Sequence, residues 1–216
     1  YEWVFILDAD ETLPPAAEAE FRAIVSRPVN SESDVIAYWI NRRMMFMNKW
    51  MKHAYYPNWN LRLFLHKTCR YEKLINQPTA SGDNEVHEHV IVNGRTEQLK
   101  SEMEHYAFPT VEVFVEKHNR YSNWEARYSL SQRKGIHEAA NLDNKEVNLT
   151  RRLKKIMQFM PFRPLLRFFY VYIWQKGFLD GMEGYYFACL HGFYEFLTVT
   201  KIYELKKAQE RANRKD

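Results

Sequence analysis

Five apolar residues, Trp3-Val4-Phe5-Ile6-Leu7, run directly into Asp8-Ala9-Asp10-Glu11 and then Thr12-Leu13-Pro14-Pro15. So short an apolar run predicts a buried strand. Side chains alternate along a strand, so Asp8 and Asp10 are expected on one face and Ala9 on the other. Two neighbouring carboxylates repel unless a cation or a shared proton lies between them. A hard divalent ion, Mg²⁺ or Mn²⁺, suits oxygen ligands and usually completes its shell with substrate phosphates. The alternative for the same residues is a solvated strand end with an acidic helix cap.

The rest of the chain sets bounds on what that strand belongs to. At 216 residues there is room for one substantial domain, or one domain with an appendage. A hydrophobic content of 46% excludes a disordered chain, and a net charge of +4 gives no global reason to expect nucleic acid as a partner. Charge is unevenly placed, however. The segment 151–176 carries basic residues and no acidic ones, which leaves the remainder net acidic. Cys69 and Cys189 are far apart, without the spacing of a disulfide framework or a zinc knuckle, which fits a reducing compartment. No secretory leader pattern opens the chain, and no apolar run is long enough for a simple membrane span. The chain starts inside a strand, so it is expected to be the later part of a larger protein.

Pro14-Pro15 predicts a helix start, with the helix running from Ala16 to Ser26. Strands are expected over Val35–Ile40, followed by Arg42-Arg43 and a Met/aromatic loop to Trp50, and over Asn60–Leu65 and Glu85–Val92. Leu99–His105 is a shorter extended candidate. From Val111 the period becomes helical, with Val111, Val115 and His118 or Asn119 on one face. A linker or exposed helix is expected over Gly135–Leu149, a long apolar helix over Tyr185–Leu205, and a fraying charged end.

Several constellations could carry chemistry. Glu88 lies between Val86 and Val90 on one strand face, where partial desolvation would raise its pKa toward that of a general base. His87 and His89 share the other face and, with His105, make a three-histidine zinc site conceivable. Arg42, Arg43 and Arg62 could meet diphosphate oxygens bidentately, or simply sit on strand ends. Trp50, Trp59, Tyr55 and Tyr56 around Pro57 could form a sugar-stacking platform or a packed loop. The basic aromatic block within 151–176 suits an interfacial helix on anionic lipid; a plain core helix is the alternative.

Taken in order, Leu7-Asp8-Ala9-Asp10-Glu11, Leu61-Arg62-Leu63-Phe64, Val86-His87-Glu88, His105-Tyr106 and Gly177-Phe178-Leu179-Asp180-Gly181 resemble glycosyltransferase family 2. Within it the likeness is to the bacterial branch containing lipopolysaccharide-core β-1,4-glucosyltransferases. The resemblance implies an α/β fold, the C-terminal part of a GT-A Rossmann-like αβα sandwich, followed by a helical, membrane-associating region. Residues 1–110 would form the acceptor-side, D-x-D part of the transferase domain, incomplete at its front, and 111–216 the helical region. It further implies an inverting transfer from a nucleotide sugar, such as a UDP-sugar, to a glycan or lipid-linked acceptor at the cytoplasmic face of the plasma membrane. Asp8 and Asp10 would bind metal and diphosphate, His105 the metal, Arg62 the diphosphate, and Glu88 would be the catalytic base. Glu11, His87 and Trp59 are the acceptor-side candidates. The family's first strands are absent here, so this chain alone is expected to lack part of the donor pocket. Two other classes remain: a haloacid-dehalogenase-type phosphatase using Asp8-x-Asp10-x-Thr12, and a non-catalytic membrane-associated module.

Overall fold

The structure, a computed structural model, describes residues 2–29, 34–71, 90–133 and 162–214. Glu88, His87 and His89, the expected linker and residues 151–161 of the basic block lie outside the described residues.

The fold is mixed α/β. Strands β1 (Trp3–Phe5), β2 (Glu11–Thr12), β3 (Val35–Phe46), β4 (Lys49–Trp50), β5 (Trp59–Leu65) and β8 (Arg95–Phe108) form one sheet. Its order is β1-β5-β3-β8-β2, with β4 added to β3. β3 and β8 run parallel, and the other pairs are antiparallel. β6 (Cys69–Tyr71) and β7 (Val90–Val92) form a separate antiparallel ribbon. Consecutive strands β1 and β2 therefore lie at opposite ends of the strand order, and Ile6–Asp10 carries the chain between them.

This arrangement corrects the reading of the opening strand. β1 stops at Phe5; Asp8 lies in irregular backbone after it, and Ala9 and Asp10 lie in a turn rather than at a strand tip. The turn closes with the Glu11 N–H donating to the Asp8 carbonyl at 3.0 Å. Face alternation therefore does not govern Asp8 and Asp10, and they point to different partners.

Helix α1 (Pro15–Val25) begins where the double proline predicts, and Ala17 and Phe21, four residues apart, bury its inner face. They join Ile40, Leu63, Leu99 and Met103 in one core cluster. Glu20 fixes the helix to the sheet by accepting the Lys100 and Ser101 N–H groups at 3.0 and 2.9 Å. The expected loop after Ile40 is instead strand: β3 continues to Phe46 and turns through Met47 and Asn48, both at positive φ. Arg42 and Arg43 are thus mid-strand residues facing opposite sides.

Helix α2 (Val111–Arg133), helix α3 (Arg163–Phe169), a π-helical turn (Tyr170–Trp174), a 3₁₀ turn (Gly177–Asp180) and helix α4 (Met182–Ala212) make up the helical part. α4 stays helical well beyond the expected Leu205. On α2 the inward stripe is Phe114, His118, Ser122, Ala126 and Leu130, not Val111 and Val115, which are exposed. Polar His118 and Ser122 are admitted because His118 Nδ1 meets the Phe114 carbonyl at 2.8 Å and Ser122 Oγ meets Lys201 Nζ at 2.7 Å. A second core cluster joins Met44, Phe46, Met51, Ala107, Phe108 and Phe114 to Val171, Phe187 and Ala188.

The glycine-punctuated motif fastens these helices to the sheet. Asp180, buried, accepts the N–H groups of Lys52, His53 and Ala54 at 3.0, 3.1 and 2.8 Å. Gly184 lies so close to the Gly177 carbonyl that a Cβ would be 1.9 Å from that oxygen. Cys69 and Cys189 are free, and among the described residues no helix is long and apolar enough to cross a membrane.

Candidate active site

Along β3 the series Ile40, Arg42, Met44 shares a face, as do Met103, His105 and Ala107 along β8. Arg42 and His105 thus interrupt the apolar covering between the two core clusters. The chain from Asp8 to Glu11 meets this polar gap. Pairing of Glu11 with His105 across the β2–β8 ladder sets its register, and the Tyr106 N–H donates to the Asp10 carbonyl at 2.8 Å.

Glu11 is the internal strut. Its carboxylate is fully buried and accepts from Arg62 Nη2 at 2.6 Å, Arg42 Nη1 at 3.0 Å and the Asp8 N–H at 3.0 Å. Its carboxylate is turned inward, away from solvent. Arg62 also donates to Asp8 Oδ2 at 2.6 Å. Burial, opposed by the Glu11 hydrogen bond, depresses the pKa of the Arg42 guanidinium.

Asp10 turns the other way. Lys117 Nζ, from the second turn of α2, lies 2.6 Å from Oδ2, and His105 Nε2 lies 3.5 Å from Oδ1. The His105 hydrogen bond foremost, then Lys117, outweigh burial and hold this carboxyl well below the usual carboxylate range. Lys117 was not a sequence candidate, since one lysine on a polar helix carries no signal. Proximity of the α2 start to the end of β8 brings it here.

Two carboxylate–cation groups therefore adjoin along the chain: Asp8 and Glu11 with Arg42 and Arg62, and Asp10 with Lys117 and His105. Among the described residues no three His, Cys, Asp or Glu side chains are grouped to cage a metal. The donor set does fit the other common arrangement for a hard ion, one or two carboxylates with phosphates completing the shell. Asp8 is about half exposed and Asp10 partly so, which leaves oxygens within reach of solvent. The same cations suit the oxygens of a diphosphate.

The aromatic loop divides. Trp50 and Tyr56 meet edge to face with ring centroids 5.6 Å apart, and Arg43 lies over Trp50. Arg43 and Tyr56 both bind Glu102, at 2.6 Å each, on the sheet side opposite Arg42. Tyr55 turns inward and stacks on buried His191. Trp59 is half-buried at the start of β5, opposite Asn41.

No family model and no solved structure matches the chain. Curated relatives do. An uncharacterized glycosyltransferase of Rickettsia conorii is 25% identical over 211 residues, covering 94% of this chain and 64% of its own. One from Rickettsia typhi is 25% identical, covering 94% and 63%, and one from Rickettsia felis 23%, covering 94% and 64%. The chain spans somewhat less than two thirds of the length of these relatives. It is thus a distant relative, along nearly all of its own length, of proteins named glycosyltransferases.

Proposed function

We propose that the protein is an inverting glycosyltransferase of family 2 with a GT-A fold. It would move a sugar from a nucleotide sugar, a UDP-sugar, to a glycan or lipid-linked acceptor in lipopolysaccharide or other cell-surface polysaccharide synthesis. The match along 94% of the chain to proteins bearing the glycosyltransferase name carries this reading. The carboxylate–cation cluster supports it. In such a transfer an acceptor hydroxyl oxygen bonds to the anomeric carbon while the bond from that carbon to the diphosphate breaks. The electron pair leaves with the nucleotide diphosphate. Glu88, outside the described residues, is the base that takes the hydroxyl proton. Arg62 binds the diphosphate, Glu11 holds Arg62 in position, and Asp8 and Asp10 provide the oxygens for Mg²⁺ or Mn²⁺ with His105 beside them. A bound divalent ion supplies positive charge to the leaving oxygens.

The test is sugar transfer by the full-length parent given Mn²⁺ and a panel of nucleotide sugars. Asp10→Asn is expected to cut the rate about a hundredfold, and Glu88→Gln to a similar extent. Wild-type rates in both variants would remove these residues from the chemistry. Phosphate release from a phosphomonoester, with no nucleotide sugar present, would favour the phosphatase.

We further propose that the helical part rests on an anionic membrane surface at the cytoplasmic face, through apolar rings. Arg163 and Arg167 do not face outward: Arg163 is buried on Glu195, and Arg167 bonds the Tyr55 hydroxyl. The exposed groups are Phe162, Leu165, Phe169, Ile173, Trp174, Phe178 and Leu179. Ring contacts through half-buried Phe168 and Tyr172 link Phe169 to Phe178, Tyr185 and Tyr186. Asp180 and Glu183 are occupied by the protein's own groups while Lys176 is exposed, so the outward charge suits an anionic lipid surface. Trp174→Ser with Phe169→Ser is expected to lower cosedimentation with anionic vesicles about tenfold; unchanged cosedimentation would remove the proposal.

A further inference from the structure

Lys117 changes how the Asp10 pole can work. Helix side chains lean toward the N-terminus of their helix. Lys117 accordingly reaches back past Phe108, whose ring centroid is 5.8 Å from Nζ, to the Ala107 carbonyl at 3.2 Å and Asp10 Oδ2 at 2.6 Å. Its side chain is 23% exposed and that of Asp10 30%, so a small ion can approach the pair from solvent. An ammonium at this distance takes one of the lone-pair positions through which a divalent ion would ligate the same oxygen, and two cations sharing that oxygen repel. Asp8 offers the contrasting case, because its partner Arg62 is also held by Glu11 and need not move far to release it.

We propose that Lys117 and a divalent cation compete for Asp10. Without the ion the ammonium holds the carboxylate. When the ion enters with a diphosphate, the ammonium passes from the carboxylate to a diphosphate oxygen. Metal and diphosphate then bind cooperatively, since the diphosphate gives the displaced cation a new anionic partner. The inference rests on reading Asp8 and Asp10 as the metal–diphosphate carboxylates, and it adds Lys117 as the residue that sets their metal affinity.

The test uses the full chain and Mn²⁺ alone, with the paramagnetic resonance signal of the free ion reporting binding. Lys117→Gln is expected to tighten Mn²⁺ binding about tenfold. Lys117→Arg, which keeps the charge, should stay near wild type. Adding Asp10→Asn to Lys117→Gln should abolish the gain. Should the glutamine variant be unstable, Lys117→Met keeps the aliphatic packing on Phe108 and gives the same comparison. An uncharged variant that binds Mn²⁺ no more tightly than wild type overturns the proposal, as does a gain that survives Asp10→Asn. Because binding is read without turnover, the outcomes separate. A chain that shows this Mn²⁺ pattern but transfers no sugar counts against the transferase reading alone. One that transfers sugar without the pattern counts against the competition alone.

Discussion

Glu11→Ala is expected to lower the unfolding free energy by about 3–5 kcal/mol and the melting temperature by about 10 °C. The carboxylate is fully buried, and a single oxygen, Oε1, accepts from both Arg42 and Arg62. Their side chains are only 15% and 10% exposed. Truncation removes the anion between the two guanidinium groups in a place water reaches poorly: Arg62 keeps Asp8, and the Arg42 charge is left uncompensated. The cost is that of an uncompensated buried charge, not of one lost hydrogen bond. Asp8→Ala removes a partner of the same Arg62, but from a side chain 48% exposed. Arg62 keeps Glu11, so the expected loss is below about 1 kcal/mol. Denaturant unfolding of the two variants side by side makes the comparison. A Glu11→Ala loss no greater than that of Asp8→Ala would show that Glu11 is not the strut. On the proposed transferase function, sugar transfer by the full-length parent should fall in Glu11→Ala beyond what its unfolded fraction explains, because Arg62 and the Asp8 N–H both lose a partner.

Much of this was legible in the sequence where local chemistry decides structure. The double proline marks the start of α1, the extended stretch Asn60–Leu65 marks β5, the helical period from Val111 marks α2 though not its buried face, and the long apolar stretch marks α4. The opening D-x-D-E is where the charged cluster forms. What failed did so because long-range pairing outweighs local pattern. Ile6 and Leu7 read as strand, yet β1 ends at Phe5 because the chain must cross from its partner β5 to β8. Arg42 reads as the end of a strand but sits mid-strand, since Glu11, thirty-one residues away, neutralises it. Lys117 was invisible because its meeting with Asp10 depends on α2 starting directly after β8. Within the helical block the difference concerns Arg163 and Arg167. In composition they resemble a lipid-facing surface, and only the packed structure places Arg163 on buried Glu195 and Arg167 on the Tyr55 hydroxyl.

That inversion leads to the second large effect. Arg163→Ala is expected to cost about 3–5 kcal/mol at neutral pH, although a surface arginine would cost almost nothing. Arg163 opens α3, with its side chain 8% exposed, and donates to Glu195 Oε2 on α4 at 2.6 Å, with Glu125 Oε1 on α2 3.7 Å away. Tyr194 donates to Glu125, so one guanidinium links three helices. Burial first, then the nearby Glu125 charge, already raise the Glu195 pKa despite Arg163. Without Arg163 the pKa rises further, because the charge opposing protonation is gone. A carboxyl whose folded pKa exceeds its unfolded value supports the fold below the unfolded pKa, and that support is lost as pH rises through the folded value. The deficit of Arg163→Ala should therefore shrink as pH falls and the raised Glu195 carboxyl takes up its proton, and widen as pH rises toward 8. Adding Glu195→Leu removes the stranded carboxylate and should recover most of the loss, since a well-packed apolar pair often matches a buried ion pair. Thermal unfolding from pH 5 to pH 8 for wild type, single and double variants decides it. A deficit independent of pH, or one that Glu195→Leu deepens, would mean that packing rather than charge holds these helices together.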